Sequence, residues 1–253
     1  DSGYEISGDP ERSPSVFFCR LLQYLECPPY LRRLIFPVHH DLKFAGLLPP
    51  LESPHHMRRD ELCLYREGVT LGSEAPEGTT IVNVGLSSGD TMIDRSLKPG
   101  VRVTVRLEDG GKLKKTIHGK AVPPTEPKEK YGLYWGYHTR LARSLGDVFS
   151  KSTWEGGYDL LIGCSSSGTR VLEQDLHDDI KSGVDDSGKQ KEAFSLGSFQ
   201  HALIVFGGTD GSIESCVDAD ESLPINASNA SSLFDHWVNL CPGSGTRSLR
   251  TEE

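Results

Sequence analysis

The sequence has no apolar run of roughly 18 residues, the length a membrane-crossing helix needs, and no signal-peptide pattern. No membrane partner is therefore expected. Cysteine is scattered, at positions 19, 27, 63, 164, 216 and 241, with no CxxC pair and no Cys/His zinc spacing. Such thiols, some in apolar surroundings, fit reduced cysteines of an intracellular protein and not a disulfide scaffold or a zinc module. The chain also lacks GxGxxG and GxxxxGK[ST], which excludes two nucleotide-cradling glycine loops. No Ser-His-Asp arrangement, paired-carboxylate motif or internal repeat is present. Positive charge is in deficit: 27 Lys and Arg stand against 36 Asp and Glu, a formal net charge of -9. A chain coated in basic surface is excluded. A local basic patch is not, because phosphate affinity depends on the charges at the contact.

The 253 residues suffice for one large domain or two smaller ones, and an apolar content of 36% supports a packed core. Residues 1–15 are polar. Val16 to Glu26 has helical spacing, with apolar residues at 17, 18, 21, 22 and 25, and Pro28 and Pro29 stop it. His55 and His56 are adjacent but lack further ligands at metal-binding spacing, so they read as a solvated pair or a pair near a polar ligand.

From Leu62 to Val122 the pattern changes to short strands: Tyr65 to Leu71, Thr79 to Val84 and Val101 to Leu107. Asp109-Gly110-Gly111 then signals a hairpin leading into Leu113 to Val122. This is a small all-β module, most simply a Greek-key or OB-like barrel. Lys98, Arg102, Arg106, Lys112, Lys114, Lys115 and Lys120 outnumber Glu108 and Asp109 there. Arg102 and Arg106 share a face with Thr104, opposite the valines. Such a face suits tracking of a nucleic-acid backbone, and equally suits a solvated hairpin.

Residues 123–130 read as a linker. Tyr131 to Leu145 opens on aromatics and glycines, and its second half is amphipathic through Leu141, Leu145 and Phe149. Three apolar strands follow: Tyr158–Gly163, His201–Phe206 and Phe234–Leu240. Each ends in a loop of small residues, at 163–168, 206–208 and 239–251. Residues 171–195, between the first two strands, read as a mobile polar insertion. Glycine lets the main chain approach a ligand closely, and ligands of open α/β sheets bind at the carboxyl ends of strands. If these strands are parallel neighbours, their loops converge into a backbone-lined pocket suited to adenine and ribose. The same pattern also suits ordinary strand-to-helix turns. The sequons at Asn226 and Asn229 read as chance in a polar loop.

Four segments carry a family resemblance: Phe44-Ala-Gly-Leu-Leu-Pro-Pro-Leu-Glu-Ser-Pro-His-His-Met-Arg58, Lys130-Tyr-Gly-Leu-Tyr-Trp-Gly-Tyr137, Ala202-Leu-Ile-Val-Phe-Gly-Gly208 and Cys241-Pro-Gly-Ser-Gly-Thr-Arg-Ser-Leu-Arg-Thr-Glu-Glu253. Together they resemble the eukaryotic and archaeal SPOUT-domain RNA methyltransferases with an OB-like insertion. The resemblance implies an α/β fold with a deep C-terminal trefoil knot, an exception to the rule that connections do not thread. Residues 1–61 would begin the SPOUT domain, 62–124 would form the inserted small β-barrel, and 125–253 would carry the knot. It further implies S-adenosyl-L-methionine as cofactor, a homodimer, and RNA as partner, specifically a uridine N3 of large-subunit ribosomal RNA. A nuclear or nucleolar location follows, with spindle or chromosome association as another setting.

Carried over by position, the cofactor loops comprise Ser167, Gly207, Gly208, Asn239, Leu240, Pro242, Gly243, Gly245, Leu249 and Thr251. The family often has an arginine in the first loop, where this chain reads Ser165-Ser166-Ser167, with Arg170 close enough to substitute. Arg247 and Arg250 suit anion stabilisation or phosphate contact. Glu253, Asp218 and Asp220 are carboxylate candidates, and equally suit loop solvation or, for Glu253, a charge at a helix N-terminus. Arg102, Arg106, Lys114, His55, His56 and Arg58 are the expected RNA contacts. No metal is called for. The rival reading is a non-catalytic RNA-binding or interaction protein on the same scaffold. The chain starts at Asp1 without Met and stops where Thr-Glu-Glu should open a helix. Family members continue past this point and carry a strand and helix before Arg20, so an incomplete sheet is expected.

Overall fold

The structure, a computed structural model, describes residues 13–108, 117–168, 197–207 and 212–240. The expected hairpin turn at 109–111 and the insertion at 171–195 lie outside the described residues. Two compact units make up the chain, the first ending at Leu141 and the second beginning at Ala142. These boundaries differ from breaks at 61/62 and 124/125. Segments on both sides of the barrel lend it side chains and belong to its unit.

In the first unit, helix α1 (Pro14–Glu26) opens on a proline, whose fixed φ suits a first helical turn. A second short helix, α2 (Arg32–Ile35), follows. Between them Leu31 is fully enclosed, packed with Cys27 and Val69. Strands β1 (Tyr65–Thr70), β2 (Thr80–Asn83), β3 (Thr91–Ile93), β4 (Arg102–Leu107) and β5 (Ile117–Val122) close into a barrel in the order β1-β2-β3-β5-β4. Every pairing is antiparallel except β3 with β5, and β1 closes onto β4. Closure leaves no open sheet edge. Val82, Val84, Ile93, Val105, Leu107 and Ile117 fill the interior. Arg66 on β1 is completely buried. Its guanidinium donates to the carbonyls of Val84 at 2.8 Å, of Arg58 at 3.0 Å and of Glu61 at 3.0 Å, and lies over the Tyr30 ring.

Residues read as a linker instead contain helix α3 (Glu126–Tyr131). Pro127 sits in its first turn, and Gly132 ends it at φ 65°, where glycine is favoured.

In the second unit, helix α4 (Leu145–Ser150) starts where Ser144 accepts a hydrogen bond from Asp147 N, so the expected amphipathic stretch becomes helical only from Leu145. Strands β6 (Leu160–Cys164), β7 (Ala202–Phe206) and β8 (His236–Val238) form a sheet in the order β7-β6-β8. Both pairings are parallel, with Ile162 facing Ile204 and His236 across the ladders. Helix α5 (Ile213–Asp218) and a 3-10 helix (Ala227–Leu233) connect β7 to β8. Leu145, Ile213, Val217, Ala230 and Phe234 form this unit's core, joined by Phe149, Leu161, Val205 and Trp237. The molecule is thus mixed α/β, with a five-stranded barrel and a parallel sheet.

Candidate functional site

Because β6, β7 and β8 run parallel, their carboxyl ends at Cys164, Phe206 and Val238 share one edge. There the first loop, Ser165–Gly168, is bound tightly to the end of β8. Ser165 N donates to Val238 O at 3.0 Å, and Asn239 Nδ2 donates to Ser166 O at 3.1 Å. A Cβ on Gly168 would lie 2.3 Å from Asn239 N and from the Val238 carbonyl carbon, so only glycine allows these two main chains to pass. Trp237 Nε1 donates to Ser167 Oγ at 3.1 Å.

The first turn of α5 completes the arrangement. Glu214 Oε1 accepts the Ser165 hydroxyl at 2.8 Å and the Ser167 hydroxyl at 2.7 Å. Burial alone would raise the Glu214 pKa. The hydroxyls of Ser167, Ser165 and Ser212, with its own backbone N–H, hold it below the usual carboxylate value. One hydrogen-bonded chain therefore links the segment after β7 to the loop after β6, and through Trp237 and Asn239 to β8 and the residue beyond it.

Of the expected cofactor residues, Ser167, Gly207, Asn239 and Leu240 stand at this edge. Gly208, Pro242, Gly243, Gly245, Leu249 and Thr251 lie outside the described residues, as do Arg247, Arg250 and Glu253. Glu214 is the residue sequence reading misses. Its signal is Ser212, a helix-capping hydroxyl that accepts from Ser215 N at 3.3 Å. The other two carboxylate candidates hold loops together. Asp220 accepts from Gly146 N at 2.7 Å and from Ser222 N at 3.0 Å. Burial opposes its charge, yet Ser222, Gly146 and Ser144 bring its pKa down to about 2. Asp218 accepts from Ala227 N at 2.7 Å. With both oxygens occupied, Asp220 does not present the unengaged carboxylate expected of a base.

On the barrel the two arginines of the expected basic face are ion-paired, while Lys98 and Lys120 stay exposed. Arg102 donates to both Glu26 oxygens, at 2.6 and 2.9 Å, and through Nε to Glu67 at 2.7 Å. Arg106 meets Glu126 at 3.0 Å, and Glu126 also accepts from Tyr65 and pairs with Lys130. Trp135 Nε1 and Thr104 Oγ1 reach the other Glu67 oxygen. His55 is buried, its Nε2 3.0 Å from the Glu26 carbonyl oxygen and 3.2 Å from the Glu26 carboxylate. His56 contacts the carbonyls of Glu26 and Leu51. Burial pushes the Glu26 pKa up, but His55 and Arg102 outweigh it and hold the group at about 2. Gly136, at φ 92°, leaves room for this carboxylate, since a Cβ there would lie 2.2 Å from Glu26 Oε1.

His55 and His56 are therefore not a solvated pair but part of an enclosed polar network between α1, the barrel and residues 131–137. Arg58 keeps an exposed side chain while Arg66 holds its carbonyl. Lys114 lies outside the described residues. His39, His40 and Asp41 bring potential ligand atoms within 4.8 Å of one another. Asp41 is already paired with Arg20, and His39 Nδ1 accepts from Asp41 N. No helix among the described residues is long and apolar enough to cross a membrane.

Comparison with known proteins places this edge in context. Residues 3–253 match the sequence profile of a family described as "Putative RNA methyltransferase". The chain is 42% identical over 255 residues, 99% of its length and 48% of the relative's, to a Drosophila melanogaster protein named 28S rRNA (uridine-N(3))-methyltransferase. It is 46% identical over 240 residues to the Homo sapiens protein of the same name, covering 94% of this chain and 57% of that one. A Halobacterium salinarum protein is 25% identical over 251 residues, 92% of this chain and 75% of that one. The chain spans about half the length of the first two relatives. Matched by the family profile along nearly all of its residues, the chain belongs to this RNA methyltransferase family.

Proposed function

We propose that this chain is part of an S-adenosyl-L-methionine-dependent methyltransferase that modifies N3 of a uridine in large-subunit ribosomal RNA. The observation that carries the reading is the 42% and 46% identity, over nearly the whole chain, to two relatives named for that activity. The geometry is in keeping with it. Three strand ends share one edge, and the main chains of the first and third loops pass close enough to require Gly168. Such an edge offers backbone donors and acceptors to a nucleoside. An enclosed Glu214 oxygen without a partner among the described residues also fits a polar ligand there.

Ser167, Gly207, Gly208, Asn239, Leu240, Pro242, Gly243, Gly245, Leu249 and Thr251 would hold the cofactor, which supplies a methyl group on a sulfonium. Uridine N3 must shed its proton to become a nucleophile. Arg247 and Arg250 would stabilise the anionic ring, and Glu253 is a carboxylate candidate for taking the proton. The barrel's strand order, with one parallel closure between β3 and β5, supports the OB-like assignment. The SPOUT knot, a homodimer and a nuclear or nucleolar setting complete the proposal. The rival of a non-catalytic RNA binder draws on a basic barrel face, of which Arg102 and Arg106 are engaged in ion pairs.

Calorimetric titration of S-adenosylhomocysteine into this chain, beside a version extended at both ends, tests the reading. Binding by either, lost in Asn239→Ala and Gly243→Val, is the expected result. No binding by either chain would overturn the methyl-transfer assignment.

A further inference from the structure

The carboxyl edge of the parallel sheet contains a charge to which the proposed reading assigns no particular ligand group. Glu214 Oε1 is occupied by the hydroxyls of Ser165 and Ser167. Glu214 Oε2 is closed to solvent and has no hydrogen-bond partner among the described residues. An enclosed carboxylate oxygen without a donor is costly, so such atoms in folded proteins are normally met by an N–H, an O–H or a bound group. The surrounding hydroxyls favour the ionised form. Ser167 receives the Trp237 N–H, which directs its own hydrogen to Glu214. The group is thus a negative charge with one enclosed acceptor that lacks a donor among the described residues, set between the loop after β6 and the helix after β7.

We propose that Glu214 Oε2 receives the α-ammonium group of S-adenosylmethionine. The assignment rests on the methyl-donor reading of the same edge. Three parts of that molecule could donate a hydrogen: the ribose hydroxyls, the exocyclic adenine amine and the ammonium. Only the ammonium carries positive charge as well as N–H bonds, and charge-assisted bonds to a carboxylate are the stronger kind. The sulfonium is cationic but has no hydrogen to give. Backbone groups of the glycine loops serve neutral nucleoside atoms equally well, whereas a buried carboxylate is best matched by a cation. The serines at 165 and 167 are therefore the supports that orient Glu214. Glu214→Gln keeps the shape and an acceptor for those hydroxyls while removing the charge.

The test is calorimetry on the full chain with three ligands. These are S-adenosylhomocysteine, its analogue lacking the α-amino group, and 5′-methylthioadenosine, which lacks the whole amino-acid portion. The wild-type protein is expected to prefer S-adenosylhomocysteine over the des-amino analogue by about tenfold or more. Glu214→Gln is expected to abolish that preference and to leave 5′-methylthioadenosine affinity unchanged, the unchanged affinity also showing that the variant is folded. Equal wild-type affinity for the first two ligands would overturn the assignment without reference to any variant. A variant that keeps the preference, or one that weakens all three ligands alike, would overturn it too. A wild-type protein that binds none of the three removes the methyl-donor reading itself, and this inference with it.

Discussion

Arg102 donates to both oxygens of Glu26 and to Glu67, and its guanidinium is the cation shared by two largely enclosed carboxylates. Removing it takes the guanidinium from both, leaving Glu67 with Trp135 and Thr104 and Glu26 with His55. Arg102→Ala is expected to destabilise the first unit by about 3 kcal/mol in urea denaturation, the lower end for a broken buried pair because the arginine is partly exposed. RNA affinity lost at unchanged stability would instead mark Arg102 as a nucleic-acid contact. Glu26 gives a second outcome, in pH. Its folded pKa of about 2 lies below the ordinary value of 4.5, so its contribution is complete above the unfolded pKa and is lost as pH falls through the folded one. Thermal melting followed from about pH 5 down to pH 2 should show this loss, with a shallower slope in Glu26→Gln. A Glu26→Gln variant with the wild-type slope would refute the link.

Strands β6, β7 and β8 were legible because each is an apolar run stopped by small residues, and that punctuation also marked the edge where their loops begin. Their limits were less so: β8 extends only over His236–Val238, since Phe234 turns into the core and Asn239 already serves the first loop. Helix α3 was hidden by Pro127, which reads as a linker residue although the first helical turn tolerates it. Helix α5 was hidden by the polar stretch around Ser212. The ion pairing of Arg102 was hidden for another reason: Glu26 lies 76 positions away, beyond the reach of any local pattern. Gly168 belongs to this scale because its role is to let two elements touch. Gly168→Ala should push the first loop away from Asn239 and weaken S-adenosylhomocysteine by more than about tenfold in calorimetry, whereas an unchanged affinity would place the ligand elsewhere.

Each unit has its own apolar centre: one formed by the barrel with the Leu31 cluster, the other by Leu145, Ile213, Val217, Ala230 and Phe234. Residues 13–141 made alone are therefore expected to unfold in urea as one cooperative transition, followed together by tryptophan fluorescence at Trp135 and by far-ultraviolet dichroism. Non-coincident curves would show that the second unit is needed for its folding. Arg66 sets a different kind of limit on this unit. Its hydrogen bonds go to carbonyls of residues 58, 61 and 84, groups that every amino acid possesses. Positions 58 and 61, both exposed, are free to change spelling without altering what the guanidinium meets, while Val84 is held by its own place in the barrel interior. Arg66 has no such latitude, because lysine lacks the planar fork that reaches three carbonyls from one side chain. Mutational tolerance around this end of the barrel should thus be lopsided: broad at the two exposed acceptors and almost nil at the donor.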